Sequence, residues 1–198
     1  MPEPTTLRAL SGLPSTPAGL TDSTLILIDC QNTYTRGAMA LDGVAAALDE
    51  AAILLRRARS AGIPIIHIKH DAGEGSPYDI RAEIGQIVDQ VAPEGDEPVI
   101  VKQFPNSFVQ TELDDQLKAA SARNLLLAGF MTHMCVNSTA RGAFNLGYAP
   151  TVVASATATR SLPSPTGIVP ADAVQTASLA AIADVFGVVV ADVPALPD

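Results

Sequence analysis

The chain has 198 residues, of which 47% are hydrophobic, so it is long enough to bury the core of one globular domain. Its 12 Lys and Arg residues stand against 21 Asp and Glu, which gives a formal net charge of −9 at pH 7. This acidity, together with the lack of a basic cluster longer than Arg56-Arg57, argues against binding to nucleic acids or anionic membranes. The sequence has no run of roughly 18 to 20 apolar residues and no secretory leader, so we expect a cytoplasmic protein that does not span a membrane.

The pattern of elements predicts one α/β domain. Residues 1–22 contain scattered prolines and are predicted to form an extended amino-terminal arm, and residues 23–198 are predicted to form the domain. The predicted strands span residues 24–29, 63–68, 98–102, 124–128, 150–154 and 188–191. The predicted helices span residues 44–61, 80–90, 111–120, 136–146 and 171–186. Short apolar strands that alternate with helices indicate a three-layer α/β/α sandwich with a six-stranded, doubly wound, Rossmann-like parallel sheet.

Polar residues at three strand ends are the candidates for chemistry, because ligands of such sheets bind beyond the carboxyl ends of the strands. Asp29 ends the first strand, Lys102 ends the third, and Cys135 follows the fourth near the start of a helix. Helix amides and the helix dipole favour a thiolate there, so we expect a lowered pKa for Cys135. Taken singly, Cys135 could be a core residue, Asp29 a turn cap and Lys102 a solvent-directed side chain.

Together these residues resemble the isochorismatase-like cysteine hydrolases, a family of six-stranded α/β/α proteins that includes nicotinamidases and N-carbamoylsarcosine amidohydrolases. The resemblance covers residues 25–190. It rests on Asp29-Cys30-Gln31, on Lys102 followed by Asn106-Ser107-Phe108, and on Gly129-x-x-Thr132-x-x-Cys135-Val136. One departure is Ser155-Ala156, where many relatives have an Asp-Ala pair.

The resemblance implies that residues 23–198 form an isochorismatase-like hydrolase domain, and it also implies a mechanism. Asp29 would act as general base, Lys102 would orient and balance that carboxylate, and Cys135 would form a thioester with a small amide, ureido or related substrate. The backbone N–H groups of Met131 and Cys135 would hold the oxyanion, and the peptide bond between Phe130 and Met131 would be cis. A homo-oligomer, either a dimer or a tetramer, is also implied, and the alanine-rich helix 171–186 is a plausible interface.

Several residues are predicted to contact a small-molecule substrate, either as apolar walls of the pocket or as polar groups that recognise an amide. They are Gln31, Tyr34, Asn106, Phe108, Phe130 and His133. His133 is not expected to pair with Cys135, since side chains two positions apart on a helix diverge by roughly 200°. Cys30 is expected on the sheet face opposite Asp29, as a structural thiol outside any disulfide.

No metal and no cofactor is predicted. His67 and His70 lie three apart on a strand and point to opposite faces, so they are interpreted as packed or pocket-rim residues. Two other functions remain open. A vinyl-ether hydrolase of the isochorismatase type would use Asp29 as an acid without the thiol, and a binding or assembly protein would use the same fold without catalysis.

Overall fold

The computed structural model describes residues 4–198, and a parallel sheet lies at its centre. The strands of the described chain are β1 (Ser23–Ile28), β2 (Ile65–His70), β3 (Val99–Lys102), β4 (Asn124–Phe130), β5 (Ala149–Ala158), β6 (Leu162–Ser164), β7 (Gly167–Val169) and β8 (Val188–Val190). Six of them form the sheet in the order β3-β2-β1-β4-β5-β8, and every neighbouring pair is parallel. The other two, β6 and β7, form a separate antiparallel hairpin.

Helices cover both faces of the sheet. They are α1 (Leu7–Leu10), α2 (Val44–Ala61), α3 (Leu113–Ala119), α4 (Asn137–Asn145) and α5 (Ala171–Ala181). Alternate residues of β1 point to opposite faces, so Leu25 and Leu27 pack in the same core as α2, whereas Ile26 and Ile28 pack in the same core as α3 and α4. The predicted α/β/α sandwich is confirmed. Within residues 4–198, each helix is too short or too polar to cross a bilayer.

The winding of the sheet reverses beside β1. This strand pairs with β2 on one side and with β4 on the other, so the chain builds the sheet outward in both directions from it. Ile28 is opposite Ile68 and Gly129, and His70 is opposite Lys102. The residues that follow β1, β2, β3 and β4 therefore emerge at one edge, which is the usual ligand-binding edge of a doubly wound sheet.

The helix predicted over residues 80–90 is wrong. The structure has two short 3₁₀ turns there, Glu83–Gly85 and Asp89–Val91. The backbone of this segment pairs with the chain after β1, because Asn32 N donates to Gln86 O (2.9 Å) and Val88 N donates to Cys30 O (2.8 Å). These long-range bonds replace the local ones that a helix would need.

The amino-terminal segment, predicted as an extended arm, is docked on the domain in its described part. In its described part, from residue 4 onward, Arg8 is 9% exposed and its guanidinium donates to Val185 O at 3.0 Å. Leu7 N donates to Asp184 Oδ1 at 2.9 Å, and Leu20 N donates to Pro197 O at 2.9 Å. Hydrogen bonds to the carboxyl-terminal region therefore hold this segment. The limits 1–22 and 23–198 stay a prediction.

A buried histidine in β2 makes stability depend on pH. His67 is 1% exposed, its Nε2 lies 2.9 Å from Glu97 Oε2, and burial lowers its pKa. The ion pair with Arg59 is the main cause that lowers the pKa of Glu97, to about 2. His67 is therefore neutral in the folded protein and donates from Nε2 to an ionised Glu97.

We expect His67→Gln to weaken the loss of stability on acidification. A lowered pKa means that the unfolded chain binds the proton first, so the contribution of His67 is present above its ordinary pKa of about 6.5 and is lost below it. Glutamine keeps a donor near the Nε2 position and does not titrate. Urea unfolding at neutral pH and at about pH 5 should show a decrease in unfolding free energy that is about 1 kcal/mol smaller in the variant. Equal decreases in both proteins would contradict this assignment.

Candidate active site

Asp29, Lys102 and Cys135 meet in one buried cluster at the carboxyl edge of the sheet. The Lys102 ammonium lies between the other two, with Nζ 2.7 Å from Asp29 Oδ2 and 3.3 Å from Cys135 Sγ. Asp29 is 0% exposed, Lys102 1% and Cys135 5%. A buried ammonium and a buried carboxylate each require a partner, and here each is the partner of the other. The structure thus brings together the three residues predicted from the strand ends.

Asp29 has an unusual backbone and a carboxylate oxygen that is not hydrogen-bonded. Its φ of 51° is left-handed, which is uncommon for a residue other than glycine, and its N–H donates to Ile68 O at 2.9 Å. Oδ2 forms an ion pair with Lys102 Nζ at 2.7 Å, and neither carboxylate oxygen has a hydrogen-bond partner of ideal geometry in the described part of the chain, so Oδ1 has no polar partner at all. A buried carboxylate oxygen without a polar partner is costly, and such a group is well suited to take up a proton.

Cys135 lies in a π-helical turn, Thr132–Val136, which precedes α4. The carbonyl of Met131 accepts the N–H groups of Met134 (3.0 Å) and Val136 (3.2 Å) and so closes the turn. The peptide bond between Phe130 and Met131 is cis, which confirms the prediction made from the resemblance.

The lowered pKa predicted for Cys135 is wrong. Burial raises the pKa of the thiol to about 12, and the Asp29 carboxylate adds to this effect, whereas Lys102 opposes both. The start of a helix stabilises a thiolate by a modest amount, and loss of hydration outweighs it here. The resting site therefore holds a neutral thiol beside an ion pair.

Gln31 has a different role from the predicted one. It is 0% exposed, and its Nε2 donates to His70 O (2.9 Å) and to Gly85 O (2.7 Å). Its Oε1 accepts the N–H of His70 at 2.8 Å. Both N–H groups of the amide are used, so Gln31 joins the end of β1 to the end of β2 instead of presenting a donor to substrate.

Asn106 and Phe108 contact α4 and its neighbourhood instead of the cluster. Asn106 Oδ1 accepts the N–H of Phe108, and its amide occupies the space above Gly142, where a Cβ would lie 2.6 Å from Nδ2. Phe108 stacks on Tyr148 with ring centroids 5.9 Å apart. Asn106 and Phe108 follow Lys102 closely in the sequence, but they do not lie beside it in the structure.

Aromatic residues form a wall next to the cluster. Tyr34 meets Phe130 edge to face at 5.7 Å and Tyr78 at 5.8 Å. Burial raises the pKa of Tyr34, and the nearby charges of Asp29 and Cys135 raise it further, because this ring lies beside those two residues. Two of the predicted contact residues belong to this wall, and both are buried: Tyr34 is 1% exposed and Phe130 is 0% exposed.

The other thiol and the other histidine of this region point elsewhere. Cys30 packs in the core on the α2 side of the sheet and Cys135 in the core on the α4 side, as strand alternation predicted for Cys30. His133 Nδ1 lies 2.5 Å from Thr159 Oγ1, and burial and Arg160 lower the pKa of His133. Cys30 Sγ faces Ile28 O at 3.9 Å, whereas Cys135 Sγ faces Lys102 Nζ, so Cys135 is the thiol of the cluster.

His70 and Tyr78 are part of this neighbourhood and were not predicted as site residues. His70 Nδ1 lies 3.3 Å from Lys102 Nζ, and its ring meets Tyr78 edge to face at 5.2 Å. The strand-end pattern that identified Asp29 and Lys102 applies to His70 as well. From the sequence alone, His70 is weighed only as a metal ligand or as a packed or pocket-rim residue, because nothing local indicates that it faces Lys102. The strand itself continues to His70, two residues beyond its predicted end. In residues 4–198, no three His, Cys, Asp or Glu side chains are grouped for metal binding.

Fold and site together define the class of the protein, a hydrolase built on a doubly wound α/β/α sandwich. The chain belongs to the isochorismatase family, since the family model of the isochorismatase domain matches residues 23–192.

Comparison with known proteins gives several relatives of similar length. A secreted isochorismatase effector of Verticillium dahliae is 34% identical over 184 residues, which cover 92% of this chain and 95% of the relative. The crystal structure of an isochorismatase from Pseudomonas putida KT2440 is 37% identical, has a TM-score of 0.95, and the match covers 98% of this chain and 100% of that one.

Two further relatives are named for their reactions. A streptothricin hydrolase of Streptomyces noursei is 32% identical over 71% of this chain and 51% of the relative. A ureidoacrylate amidohydrolase of Azorhizobium caulinodans is 28% identical over 69% of this chain and 78% of the relative. The expected cytoplasmic location and the expected homo-oligomer stay predictions.

Proposed function

We propose that the protein is a cysteine hydrolase that cleaves a small amide, ureido or related C–N bond through a thioester on Cys135. The position of Lys102 between Asp29 and Cys135 carries this proposal, because its ammonium lies 2.7 Å from a proton acceptor and 3.3 Å from a nucleophile. The relatives named as streptothricin hydrolase and ureidoacrylate amidohydrolase support this class of bond.

The first half of the reaction transfers the acyl group to the enzyme. Asp29 takes the thiol proton while Cys135 Sγ attacks the carbonyl carbon, so that a C–S bond forms and the carbonyl electron pair moves to oxygen. The N–H groups of Met131 and Cys135 hold this oxyanion. The intermediate then collapses, the C–N bond breaks, and the leaving nitrogen receives the proton from Asp29.

The second half regenerates the thiol. Asp29 takes a proton from a water molecule, which attacks the thioester, and the C–S bond breaks as the acid product leaves. The proton on Asp29 then returns to Cys135 Sγ. The same carboxylate serves twice as base and twice as acid, which its unpartnered Oδ1 allows.

Lys102 stays protonated throughout this cycle. Burial opposes its charge, but the neighbouring Asp29 and Cys135 outweigh that effect and hold the pKa of Lys102 above its ordinary value. A permanent ammonium 3.3 Å from the sulfur can balance the thiolate as it forms. Its role is electrostatic, and it transfers no proton.

The proposed substrate contacts are an aromatic wall and a few polar groups beside the cluster. Tyr34, Tyr78 and Phe130 supply the wall, and the buried Thr132 Oγ1 has no hydrogen-bond partner in residues 4–198. This hydroxyl can bond a polar group of the substrate. Together with His133, these side chains are the proposed contacts.

A panel of small amides, ureides and carbamoyl compounds tests the proposal. We expect the wild-type protein to release ammonia or an amine from at least one member and to show an acyl adduct on Cys135 by mass spectrometry. Cys135→Ala should reduce that activity to background, and Cys30→Ala should leave it unchanged.

Two results would contradict the proposal. A panel that is inert throughout would exclude the bond class. Activity that survives in Cys135→Ala would indicate chemistry without the thiol, as in a vinyl-ether hydrolase that uses Asp29 as an acid. A vinyl-ether substrate, included as a separate arm of the panel, distinguishes these outcomes.

A further inference from the structure

Lys102 has a third polar contact that the proposed reaction does not use. An ammonium has three N–H donors and no acceptor. Two donors face Asp29 Oδ2 and Cys135 Sγ, and the third faces His70 Nδ1 at 3.3 Å. Because the Lys102 side chain is 0% exposed, each donor needs a protein partner. The imidazole must therefore accept at Nδ1, which means that His70 is neutral and carries its hydrogen on Nε2.

The fold holds His70 in place for this contact. His70 lies opposite Lys102 in the register of β2 and β3. The Gln31 side chain binds both the N–H and the carbonyl of His70, at 2.8 Å and 2.9 Å. The ring of Tyr78 packs against the imidazole at 87°. The strand register, the hydrogen bonds of Gln31 and the Tyr78 ring thus all restrict the position of His70 Nδ1. Through Gln31, this position also depends on the segment after β1, which contains Asp29.

We propose that His70 is a positioning residue whose unprotonated Nδ1 accepts the third N–H of Lys102 and fixes the ammonium between Asp29 and Cys135. The site is therefore competent only while His70 is neutral. A protonated imidazole would remove the acceptor and would bring a second positive charge next to Lys102 in a buried cluster. The ammonium would then move away from the carboxylate and the sulfur.

The charges around His70 agree with a neutral ring. Burial is the main cause that lowers the pKa of His70, and Lys102 lowers it further. Asp29 and Asp71 act in the opposite direction and are the weaker influences. Tyr78, which packs on the ring, is neutral because burial raises its own pKa. A lowered pKa places the loss of function at acidic pH, where the proton binds His70 below its ordinary value of about 6.5.

Two variants test the role of His70 in the proposed hydrolysis. In His70→Asn the amide oxygen can occupy the Nδ1 position and cannot be protonated, whereas His70→Leu has no acceptor. We expect His70→Leu to lose kcat on the order of 10²-fold with little change in KM, because the ammonium is misplaced. His70→Asn should recover most of this loss. In the wild type, kcat should fall below about pH 6.5 as His70 is protonated, and in His70→Asn this fall should be absent. An unchanged kcat in His70→Leu, or the same acid limb in His70→Asn, would overturn the proposal.

This inference rests on the proposed function, so one readout is independent of turnover. The chain has three histidines, and NMR titration of the imidazoles follows each of them, with His70→Asn assigning the resonance of His70. In Lys102→Met the pKa of His70 should rise, since the neighbouring cation is gone, while that of His67 should not change. A pKa for His70 that Lys102→Met leaves unchanged would refute the contact. A substrate panel without turnover would refute only the proposed function.

Discussion

Replacing Asp29 by asparagine is expected to stop C–N bond hydrolysis and, at the same time, to make Cys135 more reactive toward alkylating reagents. The carboxylate is, after burial, the largest cause that raises the pKa of the Cys135 thiol. Without it, the Lys102 ammonium lies 3.3 Å from the sulfur and has lost its counter-ion. A buried cation without an anion is costly, so the thiolate takes that place and the thiol pKa falls.

Hydrolysis should nevertheless fall by about 10³-fold, since the variant has no group to take the thiol proton or to protonate the leaving nitrogen. Loss of hydrolysis together with a lower pKa of the Cys135 thiol would show that Asp29 acts as a base. If Asp29 only maintained the structure of the site, its replacement would reduce turnover without lowering the thiol pKa.

Iodoacetamide alkylation measured against pH tests this prediction, with both proteins in a Cys30→Ala background so that only Cys135 reacts. The pH at half-maximal rate should be lower in Asp29→Asn than in the parent, and turnover of the best panel substrate should be lost. Asp42→Asn is a matched control, since this exposed residue loses the same charge without contacting the cluster. A rate profile that moves to higher pH, or turnover near that of the parent, would show that Asp29 is not the base.

Replacing Gly129 by alanine is expected to destabilise the protein more than most single substitutions. Gly129 has a φ of 116°, which side chains disfavour, and a Cβ there would overlap the carbonyl oxygen of Ile28 in the adjacent strand. The added atom would also lie 2.8 Å from Ile28 N. Relief requires β1 and β4 to separate at the centre of the sheet, so we expect a loss of about 4 kcal/mol of unfolding free energy.

Gly147→Ala is the matched control for this substitution. Gly147 also has a positive φ, 90°, but the space that a Cβ would enter is open, with no neighbouring atom within 4 Å. It should lose only about 1 kcal/mol, the cost of the backbone conformation alone. Urea unfolding of both variants measures the difference, which isolates the overlap with Ile28. Similar losses in the two variants would mean that the sheet adjusts to the Cβ easily. If Gly129→Ala folds, its activity should also be reduced, since Ile28 precedes Asp29.

Local patterns in the sequence were enough to locate the edge of the sheet at which Asp29, Lys102 and Cys135 meet. The apolar runs that stop at Asp29 and Lys102 are strands in the structure: β1 ends one residue before Asp29, and β3 ends at Lys102. The parallel pairing of the strands follows from the helices between them. Where the pattern was ambiguous, long-range bonds decided. Residues 80–90 have the composition of a helix, yet their backbone pairs with the chain around Cys30 and Asn32.

What the sequence by itself determined is therefore the fold class, the family resemblance and the three strand-end residues, because these depend on periodicity and on order along the chain. The tertiary structure decided the electrostatics. Burial raises the pKa of Cys135, although a position near a helix start predicts the opposite. The tertiary structure also decided which side chains contact one another. Gln31 binds the backbone of His70, 39 residues away in the chain, and His70 faces Lys102. Burial and partnership depend on atoms brought together by the whole fold, which no local pattern encodes.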